Sequence, residues 1–432
     1  MKTPSNPMAD ANDTTRPRVV VLSHLYPHAG NPGAGLFVRE RMLRVARHLP
    51  LVVVTPVPWF PGQGLIRRFR PHFRPPAPRF EQPDGVAVFF PRYVSVPGLA
   101  KSLDGWLMAL GCRRLLRRLR AAGRVDVIDA HFGYPDGFAA GRLGRWLGVP
   151  VTITLRGTEP RLAARPVGRR LLRSALARAT RVFTVADALR RLALTLGADP
   201  AKVRVVANGV DTAKFRPIDQ AAARRELGVP ADSPVLISVG TLVERKGFHR
   251  VMAVLPRLRQ AYPGLRYLVV GGAGPEGDGE AWLRQQAEHY GVADMVQFLG
   301  PVAPEALRVP LSAADVFVLA TRNEGWANVF LEAMACGLPV VTTDVGGNRE
   351  VVARPELGEV VPFGEATALG EALERALAEQ WDHAGIRAYA EGHAWEGRVA
   401  TLVAEFRRIA GPSQAGLADP RARLGGEGEA SR

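Results

Sequence analysis

Two carboxylates, Glu324 and Glu332, stand eight positions apart in the run Asn323-Glu324-Gly325-Trp326-Ala327-Asn328-Val329-Phe330-Leu331-Glu332-Ala333-Met334-Ala335-Cys336-Gly337. A carboxylate accepts hydrogen bonds from two adjacent hydroxyls, and each charged hydrogen bond is worth roughly 1.5 to 3 kcal/mol. Upstream, Asp315-Val316-Phe317-Val318-Leu319-Ala320 is an apolar run that predicts a buried parallel strand. The helix after it is expected from Asn328 to Gly337, where glycine ends it, and Leu338 to Thr343 predicts the next strand. In such a βαβ unit the ligand crevice lies at the carboxyl ends of the strands. The amides of Asn328 and Val329 then point outward with the positive end of the helix dipole, which favours a diphosphate. Glu332, one turn in, suits ribose hydroxyls, and Glu324 suits those of a second ring. A ligand with a diphosphate and two polyhydroxy rings is a sugar nucleotide.

Two cations are spaced to serve the same ligand. The predicted strand Pro234 to Val239 ends in Gly240-Thr241-Leu242-Val243-Glu244-Arg245-Lys246-Gly247. When a sugar departs from its nucleotide, negative charge grows on the diphosphate. The Arg245 fork and the compact charge of Lys246 stabilise it without a metal, so neither a metal nor another cofactor is expected. Earlier in the chain, the strand predicted over Asp126 to His131 ends in polar residues, putting His131 at a carboxyl edge for substrate positioning or proton handling. The strand Val151 to Leu155 ends in Arg156-Gly157-Thr158-Glu159. A guanidinium cannot relay a proton at neutral pH, so Arg156 is expected to grip a phosphate or carboxylate. Gly33 and Gly35, after the first strand, let the backbone approach a ligand closely, Gly35 beside the donor and Gly33 beside a phosphate or acceptor.

These residues need strands and helices in alternation. Strands are predicted at Val19 to Leu22, Leu51 to Thr55, Val86 to Phe90 and Arg181 to Val185, with helices at Leu36 to Leu49, Trp106 to Ala122 and Asp136 to Leu147. The alternation restarts with a helix over Phe248 to Gln260, a strand over Tyr267 to Val270, a helix over Ala281 to Tyr290 and a strand over Val296 to Phe298. Two consecutive α/β, doubly wound, Rossmann-like domains follow, 17–212 and 213–392, hinged near Phe215-Arg216-Pro217. Polar tails at 1–16 and 412–432 are expected to be disordered.

The long motif around Glu324 and Glu332, continuing through Asp344-Val345-Gly346-Gly347-Asn348-Arg349-Glu350, resembles the E-x7-E signature of retaining glycosyltransferases of family 4. Glu244-Arg245-Lys246-Gly247 resembles that family's E-R-K-G signature. Asp129-Ala130-His131 resembles its H-A-H motif, with Asp129 in place of the first histidine, and the resemblance implies that His131 lies beside the transferred sugar. Thr154 to Glu159 is similar to T-x-H-G-x-D with Arg156 where histidine is usual, and Gly271-Gly272-Ala273-Gly274-Pro275 is similar to a G-D-G-P loop near the nucleotide. The resemblance implies the GT-B fold, two domains facing an interdomain cleft, with a final helix at 393–411 crossing back to the first. It also implies a metal-independent transferase that keeps the anomeric configuration. Its donor is a nucleoside diphosphate sugar and its acceptor a glycan or lipid-linked sugar of cell-surface polysaccharide assembly. Glu350, at a helix start, is expected to be a capping charge.

A chain of 432 residues at 47% hydrophobic fits two well-packed domains. The first 216 residues carry 36 Lys+Arg against 13 Asp+Glu, and the remainder 21 against 28, so the first domain alone is expected to face an anionic partner such as a membrane surface. Its candidate patches are Arg67, Arg68, Arg70, Arg74 and Arg79 in a proline-rich loop, the arginines of 113–120 interleaved with Leu115, Leu116 and Leu119, and Arg169, Arg170 and Arg173. Two cysteines in apolar contexts, no long apolar run and no signal-peptide pattern predict a cytoplasmic protein, peripheral at most on the inner membrane face. The alternatives are a sugar-nucleotide epimerase of the same fold and, from another class, a basic nucleic-acid-binding protein. Arginines that are not interleaved with aromatics, and the lack of a recognition-helix signature, speak against nucleic acid.

Overall fold

A computed structural model describes residues 16–69, 73–274 and 277–411. Both predicted tails, apart from Arg16, together with Arg70 and Pro275, lie outside the described residues. The chain divides into two compact units. The first runs to Phe183, resumes over Leu192–Arg204 and takes the chain from Val399 onward; the second holds Thr184–Arg191 and Val205–Arg398.

Ten strands form in the first half: β1 (Val19–Leu22), β2 (Leu51–Val54), β3 (Val57–Trp59), β4 (Phe80–Glu81), β5 (Val88–Phe89), β6 (Arg92–Val94), β7 (Val127–His131), β8 (Val151–Leu155), β9 (Arg181–Thr184) and β10 (Val203–Val205). Eight of them make one sheet in the order β10-β9-β8-β7-β1-β2-β5-β4. β1 pairs in parallel with both β2 and β7, and Val21 lies opposite Asp129. The sheet centre is valine and isoleucine buried on both faces, as a sheet covered by helices on each side requires. Chain order reverses between β1 and β7, which makes their carboxyl ends the switch point where an open α/β sheet binds its ligand.

The second unit repeats the plan with β11 (Val235–Val239), β12 (Arg266–Val270), β13 (Val296–Gly300), β14 (Val316–Leu319), β15 (Val340–Thr343) and β16 (Gly358–Val361). Their order is β13-β12-β11-β14-β15-β16, and every pairing is parallel. Here the reversal falls between β11 and β14, the two strands that the sequence places before Arg245-Lys246 and before Glu324. Two apolar clusters cover the sheet's faces, one around Phe317 and Phe330 and the other around Phe248 and Tyr267.

Two sequence expectations change, and one small element carried no signal. The helix expected over Phe248 to Gln260 is two, Phe248–Met252 and Leu255–Ala261. Pro256 lacks an N–H and its ring clashes with the carbonyl four residues back, so the first helix stops there. Phe215, where the sequence places the hinge, is buried in the second unit's core cluster with Val210 and Val229, and the compact units divide here between Arg204 and Val205. The small parallel pair β3–β6, each three residues long, is too short to leave a periodic signal. The last helix, Trp395–Ala410, belongs from Val399 onward to the first unit. There Phe406 packs edge-on against Phe183 at 6.2 Å, and Glu405 pairs with Arg181 (3.0 Å) and Arg204 (2.9 Å).

Candidate active site

In the second unit the loops that leave β11 and β14 are fastened to each other. The Arg245 carbonyl accepts from the Arg322 amide (2.8 Å) and from Thr321 Oγ1 (3.1 Å), and the Thr321 carbonyl accepts from Thr343 Oγ1 (2.5 Å). Gly247 closes the β11 loop at φ 81°, and a Cβ there would run into the Ala320 carbonyl. Only glycine allows this backbone-to-backbone approach. The two loops together set Lys246 against Glu324 as a half-buried ion pair.

Past Glu324 the chain crosses to the helix Asn328–Ala335, whose first turn carries no acidic residue to satisfy its amides. An anion at the amides of Asn328 and Val329 would meet the dipole's positive end. Asn208, buried, donates from Nδ2 to Asn328 Oδ1 (2.9 Å) and fixes this helix start. Glu332 sits half-buried one turn in. Glu350 is a cap, but for another helix: its carboxylate accepts from the amides of Asp187 (2.5 Å) and Ala188 (2.8 Å), which open the helix Asp187–Thr195.

In the first unit the loops after β1 and β7 meet at Asp136. That fully buried carboxylate accepts from the His24 amide (2.7 Å) and faces His24 Nδ1 at 2.5 Å. Burial alone would lower the His24 pKa, but the charge and hydrogen bond of Asp136 outweigh it and raise the value above the ordinary one. Gly35, in the left-handed region at φ 67°, starts the helix Leu36–Ala46 and lies so close to the Leu25 carbonyl that a Cβ would collide with it. Gly33 faces open space.

His131 ends β7 wholly enclosed. Its Nδ1 accepts from Arg156 Nε (2.9 Å), and its Nε2 lies 3.2 Å from Asp129, which also accepts from Thr152 Oγ1 (2.6 Å). Burial first, then the Arg156 cation, pushes the His131 pKa down to about 4. Arg156 lies over Phe37, and its own pKa is lowered by burial and by Arg41. The turn below it is knit by Glu159, a buried carboxylate that accepts from the amides of Gly133 (3.0 Å), Arg156 (3.2 Å) and Gly157 (2.8 Å).

Within the second unit, therefore, Lys246 and Glu324 touch, Arg245 joins them through its backbone, and Asn328, Val329 and Glu332 follow on the adjoining helix. Within the first, His131 touches Arg156, while Gly33 and Gly35 line the neighbouring β1 loop. Sequence reasoning passed over His24, Asp136 and Asn208. The signal for the first two was positional, since both follow strands at the switch point. Among the described residues no cluster of His, Cys, Asp and Glu is arranged to hold a metal ion, and both cysteines are free and buried.

Residues 219–393 match the family model described as Glycosyl transferases group 1, and 62–214 match that described as Glycosyltransferase Family 4. A D-inositol 3-phosphate glycosyltransferase of Geodermatophilus obscurus is 34% identical over 312 residues, covering 67% of this chain and 67% of the relative. The chain belongs to the group 1, family 4 glycosyltransferases. The fold agrees. Sucrose-phosphate synthase from Thermosynechococcus elongatus aligns with a TM-score of 0.71 at 22% identity, over 91% of this chain and 99% of that one. The Anabaena protein HepE, in complex with UDP and glucose, aligns at 0.68 with 19% identity over 90% and 99%. The enzyme is thus a GT-B glycosyltransferase that uses a sugar donor, and the epimerase alternative is not favoured. The relative's name carries an inositol phosphate, where the sequence led to a lipid-linked or polysaccharide acceptor. Among the described residues, no helix is long and apolar enough to cross a membrane.

Proposed function

We propose that this glycosyltransferase takes its sugar from a nucleoside diphosphate, needs no metal, keeps the anomeric configuration and delivers the sugar to a small phosphorylated polyol. The observation that carries the donor reading is the contact of Lys246 with Glu324 across the second unit's switch point, one loop away from the helix start at Asn328. In this reading Arg245, Lys246 and the amides of Asn328 and Val329 hold the diphosphate, Glu332 the ribose and Glu324 the transferred sugar. The bond from the anomeric carbon to the diphosphate oxygen breaks, the acceptor oxygen bonds to that carbon, and the acceptor proton is released. The departing diphosphate keeps the electron pair, and the two cations lower the energy of its growing charge.

The acceptor reading draws on the name of the inositol phosphate relative and on chemistry in the first unit. His24, favoured as an imidazolium by Asp136, and Arg156 both follow strands near that unit's switch point, where they suit a phosphate. His131 serves this site by orienting Arg156, because its accepting nitrogen is already engaged. Gly35 and Gly33 bring the β1 loop close to the ligands. The test is a thermal-shift panel of nucleoside diphosphate sugars in chelator, followed by transfer assays with D-inositol 3-phosphate and with a polyprenyl pyrophosphate sugar, the product's anomeric configuration being read by NMR. Transfer to the lipid acceptor alone overturns the polyol, an inverted product overturns retention, and activity lost in chelator overturns metal independence.

A further inference from the structure

Among the described residues, nine of the twelve large apolar side chains left exposed lie between residues 65 and 110 of the first unit. The densest group lines one helix. Leu103, Trp106 and Leu110 follow each other at intervals of three and four, the spacing of one helical face, and are 50, 43 and 53% exposed at the start of the helix Asp104–Ala121. The same face continues with the exposed Arg114 and Arg117, whereas Met108, Cys112, Leu116 and Leu119 turn into the core. The apolar strip that the sequence suggested at Leu116 and Leu119 is therefore buried, and the water-facing strip begins at the residue just before the helix and becomes cationic halfway along it.

The surface is held in place. The Arg142 guanidinium sits 3.7 Å from the centroid of the Trp106 ring. Tyr134 Oη donates to the Lys101 carbonyl (2.6 Å) and accepts from the Gly105 amide (3.1 Å). The preceding loop, with exposed Val96 and Leu99, is pinned at Ser95, whose carbonyl accepts from Arg74 (2.7 Å) and whose Oγ accepts from Lys101 Nζ (2.9 Å). Arg67 and Arg74 thus spend their donors on backbone carbonyls, while the stripe arginines stay outward. Residues 65–121 carry 12 Lys+Arg against 3 Asp+Glu.

We propose that this face docks on an anionic phospholipid surface, with Leu103, Trp106 and Leu110 entering the headgroup boundary and Arg114 and Arg117 meeting lipid phosphates. An apolar stripe with an interfacial tryptophan and a flank of arginines is the pattern of a helix that lies in a membrane interface. A nucleic acid duplex would engage the arginines and leave the three apolar side chains in water. The inference stands apart from the proposed donor and acceptor.

The experiment is flotation of the full chain with phosphatidylcholine vesicles and with vesicles that also contain phosphatidylglycerol, at low and high salt. Flotation is expected only with phosphatidylglycerol and at low salt. It should fall about tenfold or more in Leu103→Ser/Leu110→Ser and in Arg114→Glu/Arg117→Glu, and persist in Arg114→Lys/Arg117→Lys. Unchanged thermal midpoints and nucleoside diphosphate binding separate this loss from misfolding, and a single exposed substitution, Trp106→Ser, supplies a second readout if a double variant melts early. Equal flotation on both vesicle types overturns the proposal. So does retained flotation of the apolar variant, or binding to a random duplex that depends on the arginines but not on Leu103 and Leu110.

Discussion

Arg156 Nε donates to His131 Nδ1 across 2.9 Å. A guanidinium has no acceptor, so Nδ1 carries no proton, the ring is neutral, and its one proton sits on Nε2 toward Asp129 at 3.2 Å. The ring is a spacer between a buried cation and a buried carboxylate, and its ordinary capacity to take up a proton near neutrality is suppressed.

Replacing His131 by Ala leaves the Arg156 donors facing a void in a buried site. A loss of about 1 to 3 kcal/mol in unfolding free energy is expected, because a buried charged donor has lost its neutral acceptor. His131→Asn, which keeps a hydrogen-bonding carbonyl, should recover part of it. Urea melts of the three proteins check this, and equal midpoints would show that the contact contributes nothing.

The two switch-point histidines of the first unit respond oppositely to pH. His131 has a folded pKa of about 4, below the ordinary 6.5, so its stabilisation is present above 6.5 and is lost as pH falls toward 4. His24 has a raised folded pKa, so the stability from its pair with Asp136 is fully present below 6.5 and is lost as pH rises through the folded value. His24→Ala should therefore be most destabilising on the acid side of neutrality and least at alkaline pH. Thermal midpoints followed across pH for wild type and variant give the sign directly.

Lys246→Ala is expected to lower kcat by about a hundredfold with a smaller change in donor affinity, since charge on the diphosphate develops in the transition state. Glu332→Ala should weaken donor binding by about ten- to a hundredfold, the loss of a charged hydrogen bond to ribose. Calorimetric titration with the nucleoside diphosphate and steady-state kinetics distinguish the two. The same effect in both variants would unseat the division of roles.

Gly247→Ala places a methyl against the Ala320 carbonyl in a left-handed backbone. Strain of at least ~1 to 2 kcal/mol is expected, and because the β11 and β14 loops must part, nucleoside diphosphate affinity should fall with it. A variant of unchanged stability that binds normally would mean that the two loops are not fixed by this approach.

The central strands and the second unit's site loops were legible because their signals are local. An apolar run, a polar end, a glycine and a helix lie within about ten to twenty residues of each other in the chain, and the repeat of that pattern marks a doubly wound sheet without giving its strand order. Asp136 and His24 are 112 residues apart and meet only because β7 and β1 are neighbours in the sheet, a fact of topology that composition does not carry. Leu115, Leu116 and Leu119 misled for the opposite reason. A cluster of leucines among arginines looks like a surface strip until helical phase is applied, and then Leu116 and Leu119 fall inward with Met108 and Cys112. Of the cations expected in a proline-rich loop, Arg67 lies instead on the helix Gln63–Phe69, and it and Arg74 bind carbonyls, a use of charge that shows no pattern in sequence.

The helix Trp395–Ala410 gives vectorial synthesis an awkward order. Every strand of the first sheet has left the ribosome by Val205, yet the buried ring of Phe183 waits for Phe406, and Arg181 and Arg204 wait for Glu405. The nascent amino-terminal half must stay open at that corner while some two hundred further residues are made. A chain that ends at Arg398 therefore holds every residue of the carboxyl-terminal Rossmann unit but leaves the amino-terminal one unfinished.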